Sequence, residues 1–503
     1  MFNTDSWQSH AEYRTNFKNL KAAFPSAFRT QLWDIYSRER QILLSLNLDP
    51  VGAFLSRFYS NTGRPALHQA QILRSMILFA LLFDKTPART SLTLWVNSVL
   101  SRNPVLISLV GCSSPDDLPP LGSYFDFMNR FWLGDRSIYG RNVFLPAGKN
   151  SKKPNKDIGA DGKLAEQLDT SFSSSDIVKK IMNGEPVSNN PEALLQDIFY
   201  LAAVRPSLDS GLIPTDNFTL SGDGTAVVSH SSFYGHHHVS CTSSKSCPYS
   251  ASCQRHYSDP DAGWGWDSSN KSWYFGRTLY MICCRNNALK IELPIIMKFT
   301  DARRHDSISF LYAIDEFGRH FHGPSPQNFC LDSAHDNIPT YELLEHWDIN
   351  ALIDINGRST SYDGIPNDIT LDKTGHPICR NGCRMCKWGN DPLKNAHKYR
   401  CPLKCGRIDS CAHESECSPG SYGRTLYIKN SGNLRFYPRI PRDSNEYKTI
   451  YSERTACERL NDRVLNDYRL QHMKIRGTDH FSFWTMIIGI CIHYDARYKT
   501  GTL

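Results

Sequence analysis

Two hydrophobic rhythms divide the chain. Up to about residue 135 the apolar positions recur at helical spacing. The run from Gly63, GRPALHQAQILRSMILFALLF, sets Ile72, Met76, Phe79 and Phe83 three or four residues apart, which brings them onto one helix face. Pro65 stands where a first helical turn tolerates proline. TSLTLWVNSVLSRNP predicts a second helix that ends before Pro104. Residues 28–135 are therefore expected to be helical, and short helices with basic and polar ends suit a helix-turn-helix DNA reader as well as a plain bundle. The stretch PAGKNSKKPNKDIGADGK, residues 146–163, is polar, basic and rich in Gly and Pro, and reads as a linker or exposed loop.

From Asn217 onward the rhythm becomes that of strands. FTLSGDGTAVV is a short apolar run ending on an acid. RTLYMICCRN and LKIELPIIMKF flank Asn286-Asn287, a hairpin signal. NFCLDSAHD and NALIDIN are further strands with a helical YELLEHW between them, and a long helix is predicted over 452–471. This order predicts an α/β sheet flanked by helices. The expected organisation is a helical, DNA-binding domain at 1–145 and a linker with a variable segment at 146–215. A mixed-sheet domain then spans 216–360 and 438–503, interrupted by a Cys-rich insertion at 361–437.

Composition narrows the function classes modestly. The apolar runs at 76–83 and 483–492 fall well short of the roughly 20 residues that a membrane span needs, so they read as buried helices and no membrane partner is expected. The polar start, MFNTDSWQSHAEYR, has no signal-peptide pattern, and a cytoplasmic location follows as an expectation. Fifty-seven basic against 50 acidic residues leave a net charge of +7, which permits a polyanionic partner without requiring one. In a reducing compartment the 16 cysteines are better thiols or metal ligands than disulfides.

The candidate chemistry lies in three acids. Asp223 ends one apolar strand and Asp332 another, and Glu458 lies within the helical YSERTACERLNDR. Carboxylates at two strand ends and on a covering helix can meet at one point. Such an oxygen cluster suits Mg²⁺, and two ions about 3.5–4 Å apart can drive phosphodiester chemistry. Each acid also has an ordinary role open to it. Asp223-Gly224 is a turn dipeptide, Asp332 a helix N-cap, and Glu458 the i+4 partner of Arg454. Glu453, facing elsewhere on the helix, and Asp336, beyond the strand end, rank below the three.

LSGDGTAV, FCLDSAHDN and the segment around Glu458 together resemble the DDE transposases of bacterial insertion sequences. The third carries that family's signature of Tyr, two residues, Arg, three residues, Glu, six residues, Lys. Tyr451, Arg454 and Glu458 fit it, while Leu465 stands at the lysine position. The resemblance implies an RNase H-like catalytic fold, with Asp223, Asp332 and Glu458 binding two Mg²⁺ or Mn²⁺ ions. It implies that Arg454 and Tyr451 contact DNA near the cleaved end, with Arg463 a substitute for the missing lysine. It further implies cleavage and strand transfer at the ends of a mobile element in the bacterial nucleoid, with double-stranded DNA ends and target as partners and a homodimer on DNA. The helical N-terminal segment resembles the family more loosely. YSDPDAGWGWDSSNKSWYFGRTLYMI and ARRHDS are typical of one subgroup; Trp264, Trp266 and Trp273 are candidates to stack on bases or to pack a sheet, and His305 and Asp306 to edge the site. Leu465 favours a second reading, a transposase-derived DNA-binding protein without strand transfer; a third is an RNase H-like nuclease.

The insertion holds Cys379, Cys383, Cys386, Cys401, Cys405, Cys411, His413 and Cys417. C-x3-C-x2-C and C-x3-C are spacings of structural zinc ligands. With Arg384, Lys387, Lys394, Lys398 and Arg400 around them, they describe a basic module suited to DNA, too poor in apolar residues for a core without a metal. A second set, His236, His237, His238, Cys241, Cys247, Cys253 and His256, is irregular in spacing.

Overall fold

Continuous apolar runs, rather than alternating ones, form the central strands, as expected where both faces of a sheet are covered. β1 (Thr219–Val228), β2 (Gly263–Asp267), β3 (Ser272–Asn286), β4 (Ile291–Asp301), β5 (Asn328–Leu331) and β6 (Asn350–Ile353) make one mixed sheet. The computed structural model describes residues 7–503 except 25, 27–29, 32–33, 60–61, 64, 84–90, 134–143, 147–172, 189, 234–235, 238–253, 269, 357–364, 373–374, 392, 395, 418–419, 430–433 and 436–437. β3 is the longest strand. It pairs antiparallel with β1 along one edge and with β2 and β4 along the other. β5 pairs parallel with β1, and β6 parallel with β5. Pro294 is accommodated in β4 at a bulge opposite Ile282 and Cys283, where a residue without an N–H does least harm. The order β4-β3-β1-β5-β6, with the first three strands antiparallel and the last two parallel, is consistent with an RNase H-like sheet.

Helices cover both faces. Before the sheet come α1 (His10–Ala23), α2 (Ser37–Ser45), α3 (Asp49–Leu55), α4 (Gln69–Leu81), α5 (Leu92–Ser98), α6 (Pro104–Val110), α7 (Leu121–Arg130), α8 (Ser174–Met182) and α9 (Ala193–Phe199). Within and after it come α10 (Asp306–His320), α11 (Ile338–His346), α12 (Asn445–Tyr451), α13 (Thr455–Asp462) and α14 (Thr478–Thr500). The two longest apolar runs lie in α4 and α14, and the helices pack together: Phe79 meets Trp484 edge-on at 5.4 Å. All of α4 is buried. It is the hub of the N-terminal helices and has no face free to enter a DNA groove. One continuous apolar core runs from Tyr13 through the sheet to Ala496. Among the described residues no helix is long and apolar enough to cross a membrane.

Three features differ from the sequence reading. Asp223 was expected to end its strand, but β1 continues past it to Val228. The helix expected over 452–471 is broken: a 3₁₀ turn at Ser452–Arg454, α13, a π turn at Arg463–Asp467, and a 3₁₀ turn at Leu470–His472 entered through Arg469 at φ 55°. Apolar spacing does not register a π turn, because one extra residue only advances the phase. The insertion also has the small core it was expected to lack. Strands β7 (Cys386–Asp391), β8 (Ala396–Arg400) and β9 (Thr425–Lys429) form an antiparallel sheet. Tyr399, Leu426 and Ile428 on its inner face pack against Met385, Ile355 and Ile369.

Candidate active site

Asp223 lies inside β1, opposite Met281 of β3, and not in a turn. Its two glycine neighbours are required by what approaches the strand. A Cβ on Gly222 would stand 2.7 Å from the Tyr280 hydroxyl, and one on Gly224 would stand 2.5 Å from Asp306 Oδ1. Gly-Asp-Gly therefore lets two polar groups close in on β1 beside the acid. On the adjoining strand, Asp332 follows directly after β5. Its Oδ1 accepts from Ala334 N at 3.0 Å and contacts His335 Nδ1 at 2.5 Å. His335 is fully buried, and its Nε2 meets Tyr280 Oη at 2.8 Å. Asp332 is thus both an N-cap and a carboxylate aimed by an imidazole. His335 and Tyr280 escaped sequence reasoning; a histidine three residues after the acid in LDSAHD was the available signal. Asp306 opens α10, capped by His305 Nδ1, which accepts from Ser307 N.

α13 is pinned over this end of the sheet by Cys457. Its Sγ lies 3.1 Å from Ser221 O and 2.6 Å from Cys283 Sγ. Asn461, one turn along, donates from Nδ2 to Asp223 Oδ2 at 3.2 Å. Glu458 lies between these two and is half exposed, accepting from Arg454 Nη2 at 2.8 Å. The Arg454 guanidinium also lies within electrostatic reach of Asp223 and Asp332. It thus pairs with the glutamate and acts on both aspartates through its charge. Tyr451 Oη donates to Leu331 O at 3.1 Å, which ties the start of the helical segment to the strand that carries Asp332. Leu465 packs against the core, while Arg463 is half-buried in the π turn. The lower-ranked acids are occupied structurally. Glu453 accepts from Asn287, and Asp336 is held by Arg435, Tyr341 and Asn356.

Burial pushes the Asp223 carboxyl up to about 7, helped by the neighbouring carboxylates of Asp332 and Asp306. Burial also raises Asp306. Asp332 is half-buried, which also acts to raise it, yet the His335 hydrogen bond and charge hold it below the ordinary range. In metal-free protein the raised Asp223 has a stability consequence. Between about pH 4 and pH 7 the folded state keeps a proton that the unfolded carboxyl, ordinary near 3.8, has lost. Stability therefore falls as pH rises through that window and levels off above it. Thermal melts across the window should show this decline in the wild type and a flatter profile in Asp223→Asn; identical profiles would remove Asp223 as its source.

A cavity of 760 Å³ opens beside Asp332, lined by Gly224, Asp306, Asp332, Trp266, Trp273 and Arg304 among others. Trp266 is 42% exposed and Trp264 is buried against Phe233 and Phe275, so the latter packs the sheet. Among the described residues no three His, Cys, Asp or Glu side chains stand close enough to hold a metal by themselves. The donors still fit a hard divalent ion. They are oxygens, two of the carboxylates repel each other, and the buried Oδ1 of Asn461 beside Asp223 has no hydrogen-bond partner.

The model of the transposase DDE domain family matches residues 231–493, more than half of the chain. The chain belongs to this transposase family. The match takes in Asp332, Tyr451, Arg454 and Glu458 but starts just after β1, so the place of Asp223 in the transposase rests on the sheet geometry alone. Comparison with curated proteins finds no match.

In the insertion of this transposase, burial raises the Cys386 thiol to about 11, together with a hydrogen bond to Cys405 and the nearby Cys401. Cys379, Cys401, Cys411, His413 and Cys417 line a small cavity of 20 Å³. Arg424 Nη1 lies 3.6 Å from Cys417 Sγ, and His413 Nδ1 has no hydrogen-bond partner. Cys383 Sγ lies 3.6 Å from Asn381 O. Of the second His/Cys set, His238, Cys241, Cys247 and Cys253 lie outside the described residues; His236, His237 and His256 fall on short paired strands.

Proposed function

We propose that this transposase cleaves DNA at the ends of a mobile element and joins the freed 3′ ends to target DNA, with Asp223, Asp332 and Glu458 as its catalytic acids. The observation that carries the reading is Arg454, a half-buried cation that is hydrogen-bonded to Glu458 and within electrostatic reach of Asp223 and Asp332. A scissile phosphate brought to these acids needs a positive neighbour, and Arg454 is anchored to supply one. Asp223, Asp332 and Glu458 would hold two Mg²⁺ or Mn²⁺ ions, which when bound supply activation of water or a 3′ hydroxyl and stabilisation of the leaving oxygen. The chain's own groups prepare that site. His335 fixes the orientation of Asp332, Asn461 that of Asp223, and Tyr451 holds the helical segment to β5. Tyr451 and Arg463 lie on the same segment and would meet the DNA backbone alongside Arg454. Two DNA ends call for two copies of the chain, so a homodimer on double-stranded DNA is part of the reading. Mg²⁺-dependent cleavage and joining of candidate element ends tests it, with Asp223→Ala, Asp332→Ala and Glu458→Ala as comparisons; activity surviving in one of them strikes that residue from the catalytic set.

Leu465 supports a second reading, DNA binding without strand transfer, because its side chain is spent on the core and supplies no cation. Cleavage without joining in the same assay would favour that reading or a nuclease. The insertion's thiols and imidazole are soft donors of the kind structural zinc takes, and Cys386, Cys401 and Cys405 already neighbour one another. Metal analysis of purified protein should find zinc, one or two ions per chain for eight donors, and Cys405→Ser should lower the content. Protein free of zinc and equally stable with a chelator would refute a zinc site.

A further inference from the structure

The outer face of the insertion's sheet is aromatic and mainly cationic. Alternation along β8 and β9 turns Tyr399, Leu426 and Ile428 inward and Lys398, Arg400 and Tyr427 outward. The Arg400 guanidinium is stacked between Trp388, 4.1 Å from its ring centre, and Tyr422, at 3.6 Å. It is fixed there by two hydrogen bonds to Tyr422 O, of 3.0 and 2.6 Å. Lys398 Nζ donates to Tyr422 Oη at 2.8 Å, and Lys394 Nζ lies 3.6 Å over Tyr427. A bulge between Lys387 and Gly389, the latter at φ 113°, turns Trp388 out of the sheet. Trp388 and Tyr422 remain 48% and 45% exposed.

Four of the module's carboxylates are paired with other cations, Glu416 with Arg380, Asp372 with Arg384, Glu414 with Lys404 and Asp368 with Arg424, and Asp391 at the end of β7 accepts from the backbone N–H groups of Leu393 and Lys394. Among the described residues, Lys394, Lys398 and Arg400 form no ion pair with a carboxylate. A face with several uncompensated cations calls for a polyanion. Exposed, pre-stacked rings add something that a phosphate backbone alone does not use, since they gain only from a base whose own face is free.

We propose that this face holds an unpaired stretch of DNA strand, its phosphates on Lys394 and Lys398 and one base stacked on the open side of Trp388. The inference rests on reading the protein as a DNA-cutting transposase, whose cut frees strand ends. The test is fluorescence anisotropy on the full chain, with Ca²⁺ replacing Mg²⁺, using a short single-stranded oligonucleotide and the duplex of the same sequence. Trp388→Ala should weaken single-strand binding by about fivefold or more, the lower end of one base–aromatic stack, while leaving duplex binding nearly unchanged. Trp388→Phe should retain most of the single-strand affinity. Lys394→Gln should reduce the slope of log affinity against log salt by about 0.7, the share of one phosphate on a single strand. Equal loss on both DNAs, or an unchanged single-strand affinity in a Trp388→Ala protein that melts like wild type, overturns the proposal. If Trp388→Ala does not fold, an unchanged salt slope in Lys394→Gln overturns it instead. The catalytic reading fails separately: an Asp223→Asn protein that still cuts would sink it and leave this comparison standing.

Discussion

Asp223→Asn is expected to lower Mg²⁺-dependent DNA cleavage by on the order of 10³-fold or more while making the metal-free protein more stable at pH 8. The two effects have one cause. Asp223 is a buried carboxylate next to two others, and at pH 8 the folded protein bears the cost of keeping it ionised. An amide has nearly the same shape and can still accept the hydrogen bond from Asn461 Nδ2. It removes the charge, and with it the repulsion from Asp332 and Asp306. It also removes the negative oxygen that a divalent ion would bind. A gel-based cleavage assay and a thermal melt on the same preparation check both halves. Cleavage within about tenfold of wild type would remove Asp223 from the chemistry, and a lower melting temperature would show that its charge is compensated in the fold. Arg454 bears on the outcome as well. With Asp223 neutral, the guanidinium loses one of its carboxylate neighbours, so the variant should hold Arg454 closer to Glu458.

Much of this site could be read in advance because its strands are apolar and carry their acids within or just after the apolar run, Asp223 inside β1 and Asp332 directly after β5. Continuous apolar runs marked β1, β3, β4 and β5, and Asn286-Asn287 marked the hairpin between the two longest. Arg454 and Glu458 met as their i, i+4 spacing required. What stayed hidden was set by contacts between segments far apart in sequence. Nothing local announces that Asn461 reaches Asp223 across 238 positions, or that Asp306 closes on Gly224. Leu465 illustrates the same point from the other side. Spacing alone put it where a DNA-contacting lysine is expected, but the π turn at Arg463–Asp467 carries it onto the core. The insertion's core was missed because three short strands each add only one or two apolar residues to it, too few to stand out within a Cys- and Lys-rich composition.

The second large effect is at Arg277 in β3, where Arg277→Met should destabilise the fold by about 3–5 kcal/mol. Arg277 is 1% exposed. Its Nη1 donates to Asp259 Oδ2 at 3.0 Å and its Nε to Thr478 Oγ1 at 2.8 Å, with the guanidinium 4.7 Å over the Phe481 ring. Asp259 in turn accepts from Ser229 Oγ at 2.6 Å and Gly477 N at 3.1 Å, and Asp261 accepts from Thr478 N at 2.5 Å. One cation therefore joins β3, the residue after β1, the loop leading to β2 and the start of α14. Methionine fills much of the volume but strands Asp259 without its counter-charge, and that uncompensated burial is the main cost, more than lost packing. Arg277 holds the Asp259 carboxyl below the ordinary range, so the single variant should raise it and lose further stability as pH increases. Adding Asp259→Asn should recover part of the loss, because an amide needs no counter-charge. Urea denaturation of both variants checks the prediction, and a single-variant cost under about 1 kcal/mol would mean that water reaches Asp259. Because β2 and β3 carry Trp266 and Trp273 into the cavity beside Asp332, the same substitution should depress DNA cleavage in proportion to the unfolded fraction, and the double variant should restore both together.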